Sequence, residues 1–117
     1  MKHHLAWFLL LVAAFGAVLL SACTPAPQEI RVDASEFKFD PATLTVKVDQ
    51  SVRVIVTNTG ALEHTFTIAD LGVDEKLPVG QTVTVEFTPA QSGTFELVCT
   101  TPGHKEAGMV GTLVVNP

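Results

Sequence analysis

Tyrosine is missing from this chain, and its single tryptophan, Trp7, lies in an N-terminal apolar run. The apolar spacing of helices is nearly missing as well, which argues against a helical fold. Lysine and arginine total 7 against 12 acids. A chain so short of basic residues lacks the positive face that nucleic acid binding needs, so no nucleic acid partner is expected. Internal repeats and low-complexity tracts do not occur beyond the leader and the tether that follows it. Cysteine is limited to Cys23 and Cys99, methionine to Met1 and Met109, and histidine to His3, His4, His64 and His104.

The N-terminus accounts for several of these. Lys2, His3 and His4 give a short positive start, and Leu5 to Leu20 is one apolar run of about sixteen residues, within the range of an export signal and short for a membrane span. The run ends in Leu20-Ser21-Ala22-Cys23. That tetrapeptide resembles the lipobox of bacterial lipoproteins. The resemblance implies that residues 1–22 are a lipoprotein signal peptide, that Cys23 is the lipidated first residue, and that the chain is exported and held on the cell membrane, facing the periplasm or the extracellular side. An ordinary signal peptide cut nearby, or an uncleaved anchor helix, are the plainer alternatives. Two prolines in residues 23–28 suggest an extended tether.

Residues 29–117 amount to one small domain. Apolar and polar residues alternate through most of it, with Val and Thr abundant, the pattern of half-buried strands. Glu29–Ala34 reads as a first strand and Phe37–Phe39 as a short extended piece. Thr43–Val48 and Ser51–Thr57 read as a hairpin with one apolar side, turning at Asp49-Gln50. His64, Phe66 and Ile68 share a face. Residues 69–80 carry no strong pattern and are expected to be a long connection, with a helical turn around Asp74-Glu75-Lys76. Thr82–Thr88, Thr94–Cys99 and Val110–Asn116 alternate again. The expected fold is all-β, a Greek-key antiparallel β-sandwich of about seven strands.

What remains is a small set of soft donors. Cys99 to Met109 reads C-x4-H-x4-M between two strand-like runs, and His64 stands upstream at a strand start. With Cys23 assigned to the lipid, Cys99 is a lone thiol in an oxidising compartment, and metal ligation protects such a thiol. Two His, one Cys and a weak axial Met form the donor set of electron-transfer copper sites. Outside the leader, His64, His104 and Met109 are the only residues of their types, and with Cys99 every soft donor of the domain belongs to this set. Taken singly, His64 reads as a core histidine, Cys99 as an inert buried thiol, His104 as an exposed turn residue and Met109 as core filler.

Together these features resemble the cupredoxin family, the small type 1 blue copper proteins of the plastocyanin and azurin group. The resemblance covers nearly all of residues 29–117. It implies one copper per chain, with His64, Cys99 and His104 as equatorial ligands and Met109 as the long axial one. The x4 spacings depart from both subgroups: plastocyanin-like loops are shorter between Cys and His, and azurin-like loops between His and Met. Around the metal it implies roles for Glu63, whose carbonyl would approach copper, for Thr65, whose backbone N–H would donate to the Cys99 sulfur, and for Pro102, which stiffens the loop.

The function implied is one-electron transfer, Cu(II)/Cu(I), between redox proteins such as cytochromes or membrane oxidoreductases met transiently by a monomer. Electrons would leave through the His104 edge, ringed by Ala61, Leu62, Pro102 and Ala107. The alternative is a copper-binding or delivery protein of the cell envelope using the same ligands. An enzyme is not expected, since a saturated single copper offers no open position. A metal-free interaction domain is the remaining reading.

Overall fold

The alternation of apolar residues sets the strands, and the strands set where the donors meet. The computed structural model describes residues 20–117. The expected signal peptide therefore lies outside the described residues except for its last three positions, Leu20 to Ala22. Nine strands follow: β1 (Gln28–Ser35), β2 (Lys38–Asp40), β3 (Thr43–Lys47), β4 (Val52–Asn58), β5 (His64–Ile68), β6 (Val73–Leu77), β7 (Thr82–Phe87), β8 (Gly93–Val98) and β9 (Val110–Asn116). Apart from a single turn in the loop before β9, the helical element among the described residues is a 3-10 turn at Ala69–Leu71.

The strands form two sheets, in the orders β2-β1-β4-β7 and β3-β9-β8-β5-β6. Their inner faces make one core. Val32, Val52, Val54, Val56 and Val85 come from the first sheet, and Leu44, Val46, Phe66, Ile68, Leu97 and Leu113 from the second. The all-β sandwich agrees with the expectation from sequence, and the strand count is higher than about seven. Both sheets are mixed: β1 runs parallel to β4, and β3 runs parallel to β9.

Two local expectations are corrected. Thr43–Val48 and Ser51–Thr57 do not form a hairpin, because β3 pairs with β9 while β4 pairs with β1 and β7. Two runs with one apolar face each can bury it side by side in one sheet or face to face across a sandwich, and alternation does not distinguish these. The segment after β5 is not a bare connection either. Val73–Leu77 pairs antiparallel with β5 as an edge strand whose Asp74, Glu75 and Lys76 are all exposed. Three consecutive charges hide the alternation and also protect the edge from pairing with another chain.

One consequence positions the site. β5 and β8 are antiparallel neighbours, with Thr67 opposite Val98. The start of β5 and the end of β8 therefore lie at one pole of the sandwich. His64 opens β5, and Cys99 directly follows β8.

Candidate metal centre

The loop from Cys99 to Met109 is built from two tight turns. The His104 N–H donates to the Thr101 carbonyl at 3.0 Å, with Pro102 and Gly103 between them and Gly103 at φ 82°. This is a type II turn: proline fixes the first central residue, and the second needs a positive φ that glycine adopts without strain. From His104 the chain makes one helical turn that ends at Gly108, φ 103°. There the Gly108 N–H donates to the Lys105 carbonyl at 2.9 Å, and the Met109 N–H to the His104 carbonyl at 3.0 Å. That pair of bonds is the Schellman closure, which satisfies the last carbonyls of a helical turn. The two turns fill the two x4 spacers and bring the chain back so that the Cys99 N–H donates to the Met109 carbonyl at 3.1 Å.

His64, Cys99 and His104 converge, with one ligating atom from each lying within 4.8 Å of the others. The two imidazole Nδ1 atoms are 3.1 Å apart, and Cys99 Sγ is 3.6 Å from His104 Nδ1. Donors about 2.0–2.3 Å from a shared first-row ion must stand roughly 3–4 Å from one another. These separations fit that requirement. All three side chains are buried, His104 with a 7% exposed remnant. Met109 is fully buried, and its backbone is bonded to both Cys99 and His104.

The expected supporting residues have distinct fates. The Thr65 N–H donates to Cys99 Sγ at 3.3 Å, and the Thr65 hydroxyl accepts the Thr100 N–H at 2.8 Å, tying β5 to the loop. The Glu63 carbonyl accepts the Thr101 hydroxyl at 3.4 Å. Pro102 sits at the first central position of the type II turn.

Three supporting residues escaped the sequence reading. Asn58 is buried at the end of β4. Its Nδ2 donates to the Leu62 and Leu77 carbonyls, both at 2.8 Å, and its Oδ1 accepts the Gly60 N–H at 2.9 Å. Glu36 and Phe37 form the tip of the β1–β2 hairpin. Glu36 Oε1 accepts the Ala61 and Leu62 N–H groups at 2.8 and 2.9 Å. Those backbone bonds, the Leu62 one foremost, hold the Glu36 carboxyl below its usual range. The Phe37 ring meets the His104 ring edge-on, with centroids 5.2 Å apart. Phe37 holds φ 63°, an uncommon conformation for a bulky side chain and a form of strain found at functional sites. Burial pushes the His64 pKa down, and the nearby His104 adds to this, with Glu36 acting the other way. The neutral imidazole is thus favoured, which is the form that ligates metals.

Asn58 gives a direct stability prediction. Asn58→Ala strips partners from one N–H and two carbonyls, so a loss of about 2–4 kcal/mol is expected in urea unfolding. A loss below about 1 kcal/mol would show that water replaces those bonds.

Comparison with known proteins agrees with the geometry. The sequence matches the cupredoxin-like domain family over residues 5–115. A copper-resistant cuproprotein, CopI, of Rubrivivax gelatinosus is 33% identical over 112 residues, covering 77% of this chain and 67% of that protein. Among solved structures, reduced auracyanin of Roseiflexus castenholzii has a TM-score of 0.69 at 25% identity, covering 80% of this chain and 100% of its own. Auracyanin A, a "blue" copper protein of Chloroflexus aurantiacus, has a TM-score of 0.66 at 25% identity, with 78% and 100% covered. The match over almost the whole chain places this protein in the cupredoxin-like family, and its buried cluster of two imidazoles and a thiol fits a single copper.

Proposed function

We propose that the protein is a blue copper electron carrier, tethered to the cell membrane through Cys23 and facing the periplasm or the extracellular side. His64, Cys99 and His104 would hold the metal, with the Met109 thioether as the fourth, weaker donor. Residues 1–22 act as the export signal, 23–28 as the tether and 29–117 as the copper domain. The observation that carries the reading is the buried His64–Cys99–His104 cluster, with Nδ1–Nδ1 and Sγ–Nδ1 separations of 3.1 and 3.6 Å. Copper held there would take up one electron from a donor, Cu(II) to Cu(I), and give it back to an acceptor, Cu(I) to Cu(II).

The chain's own residues make that exchange fast by keeping the donors still. The hydrogen-bonded turns fix the loop, the sandwich core fixes His64 and Cys99, and the Thr65 N–H holds the sulfur. A site that rearranges little between two oxidation states loses little energy to reorganisation. The residual exposure of His104, beside the exposed Phe37, supports an exit for electrons at that edge. Such an apolar rim suits brief contact with a redox partner such as a cytochrome. Cys23 is exposed in the irregular segment before β1, where a lipid could be attached without disturbing the fold.

The test is the visible spectrum of the copper(II) protein. An intense blue thiolate-to-copper band and a reversible one-electron couple are expected. Copper bound without that band would favour the second reading, copper binding or delivery in the cell envelope, to which the likeness to the copper-resistance cuproprotein lends weight.

Met109 is tested separately. Met109→Gln replaces a soft thioether with an oxygen donor, which favours Cu(II). The reduction potential is expected to fall, with copper still bound. A potential that does not move would remove Met109 from the ligand set.

A further inference from the structure

His64 presents one nitrogen to the metal cluster, and its other nitrogen poses a problem. Among the described residues, His64 Nε2 is the one buried side-chain nitrogen or oxygen without a hydrogen-bond partner. A neutral imidazole carries one proton. If Nδ1 gives its lone pair to a metal, the proton must sit on Nε2, where it needs an acceptor. Glu36 Oε1 stands 3.4 Å from that atom, slightly beyond hydrogen-bond reach.

The carboxylate is placed there by construction. Two backbone N–H groups, of Ala61 and Leu62, grip the same oxygen. Gly60 leaves the space it occupies, since a Cβ at position 60 would overlap Glu36 Oε1. Glu36 also sits on the two-residue hairpin tip that carries the strained Phe37 against His104.

We propose that Glu36 is a positioning residue for the metal centre: its carboxylate accepts the His64 Nε2–H, fixes the tautomer that leaves Nδ1 free for the metal, and places a negative charge behind that ligand. Carboxylate–histidine–metal triads act in this way at other metal sites. Closing the gap takes a shift of a few tenths of an ångström. The inference rests on the copper reading for its effect on potential, and on the chain alone for its effect on the tautomer.

Two measurements separate these. The first is nitrogen NMR of the metal-free protein. Wild-type His64 is expected to carry its proton on Nε2. Glu36→Ala, and Gly60→Ala, which displaces the carboxylate while keeping its charge, are expected to shift the population toward Nδ1–H. The second is the reduction potential of the copper-loaded protein. Glu36→Gln keeps an acceptor oxygen for the loop and removes the charge. Loss of one unit charge behind the imidazole is expected to change the Cu(II)/Cu(I) affinity ratio roughly three- to tenfold in favour of Cu(I). That raises the potential by about 30–60 mV for a one-electron couple. Glu29→Gln, at the far end of β1, removes the same charge remote from the site and is expected to leave the potential unchanged.

An unchanged tautomer in Glu36→Ala, or a potential in Glu36→Gln no different from that of Glu29→Gln, overturns the proposal. Should the wild-type protein bind no copper, the carrier reading falls, and the NMR result still decides the role of Glu36.

Discussion

Cys99→Ser is expected to give a colourless protein with far weaker copper binding and an unchanged fold. The Cys99 sulfur is fully buried, 3.6 Å from His104 Nδ1, and accepts the Thr65 N–H. Thiolate is the donor that binds both oxidation states of copper and couples electronically to the metal. A serine hydroxyl stays protonated and hard, so the two imidazoles are left with no anionic partner. Losing an outer partner of a metal site costs roughly 10–100-fold in affinity, and losing the one anionic ligand is expected to cost more. Serine retains a small polar atom that accepts the Thr65 N–H, so the far-ultraviolet circular dichroism is expected to match the wild type. Copper analysis and absorption spectra check this together. Equal copper content and an intact blue band in the variant would mean that Cys99 is merely a buried thiol.

Phe66→Ala is expected to produce the largest loss of stability. Phe66 lies in β5, two residues after His64, with no exposed surface. Its ring meets Phe39 of the other sheet edge-to-face, with centroids 6.0 Å apart. Truncation removes an aromatic contact across the sandwich and opens a cavity beneath the metal pole. Such changes cost about 3–5 kcal/mol, against a total of roughly 5–15 kcal/mol for a domain. The melting temperature is expected to fall by at least about 12 °C, taking the lower figure of each range. The metal donors sit directly above this core, so the weakened protein is also expected to hold copper less rigidly, seen as a broadened absorption band. A fall of less than about 4 °C would show that the sheets close over the gap.

The predictions differ in how far they could be made from sequence. Those for Cys99 and Met109 need only the C-x4-H-x4-M spacing and the scarcity of other soft donors. Those for Asn58, Phe66 and Glu36 need the structure. Asn58 looks like an ordinary loop residue until its three partners are seen. Glu36 lies 28 positions before His64 in the chain, in a turn with no chemical signature of its own. Phe37 looks like the start of a strand, yet it is a hairpin tip with a left-handed backbone.

The sequence by itself determined the strands of β4, β5, β7, β8 and β9, their inward faces, and the donor side chains His64, Cys99 and His104 that the fold brings together. Alternation and donor type are properties of adjacent residues and survive in one dimension. Pro102-Gly103 and Gly108 likewise carry the turn chemistry that spaces the loop. Only the tertiary structure decided which strands pair: β3 with β9 rather than with β4, and the charged Val73–Leu77 along the edge of β5. It alone decided that Glu36 and Phe37 stand over the two imidazoles. Pairing and outer contacts join residues far apart in the chain, and their energies depend on which apolar faces and unpaired backbone groups remain once the whole sandwich has closed.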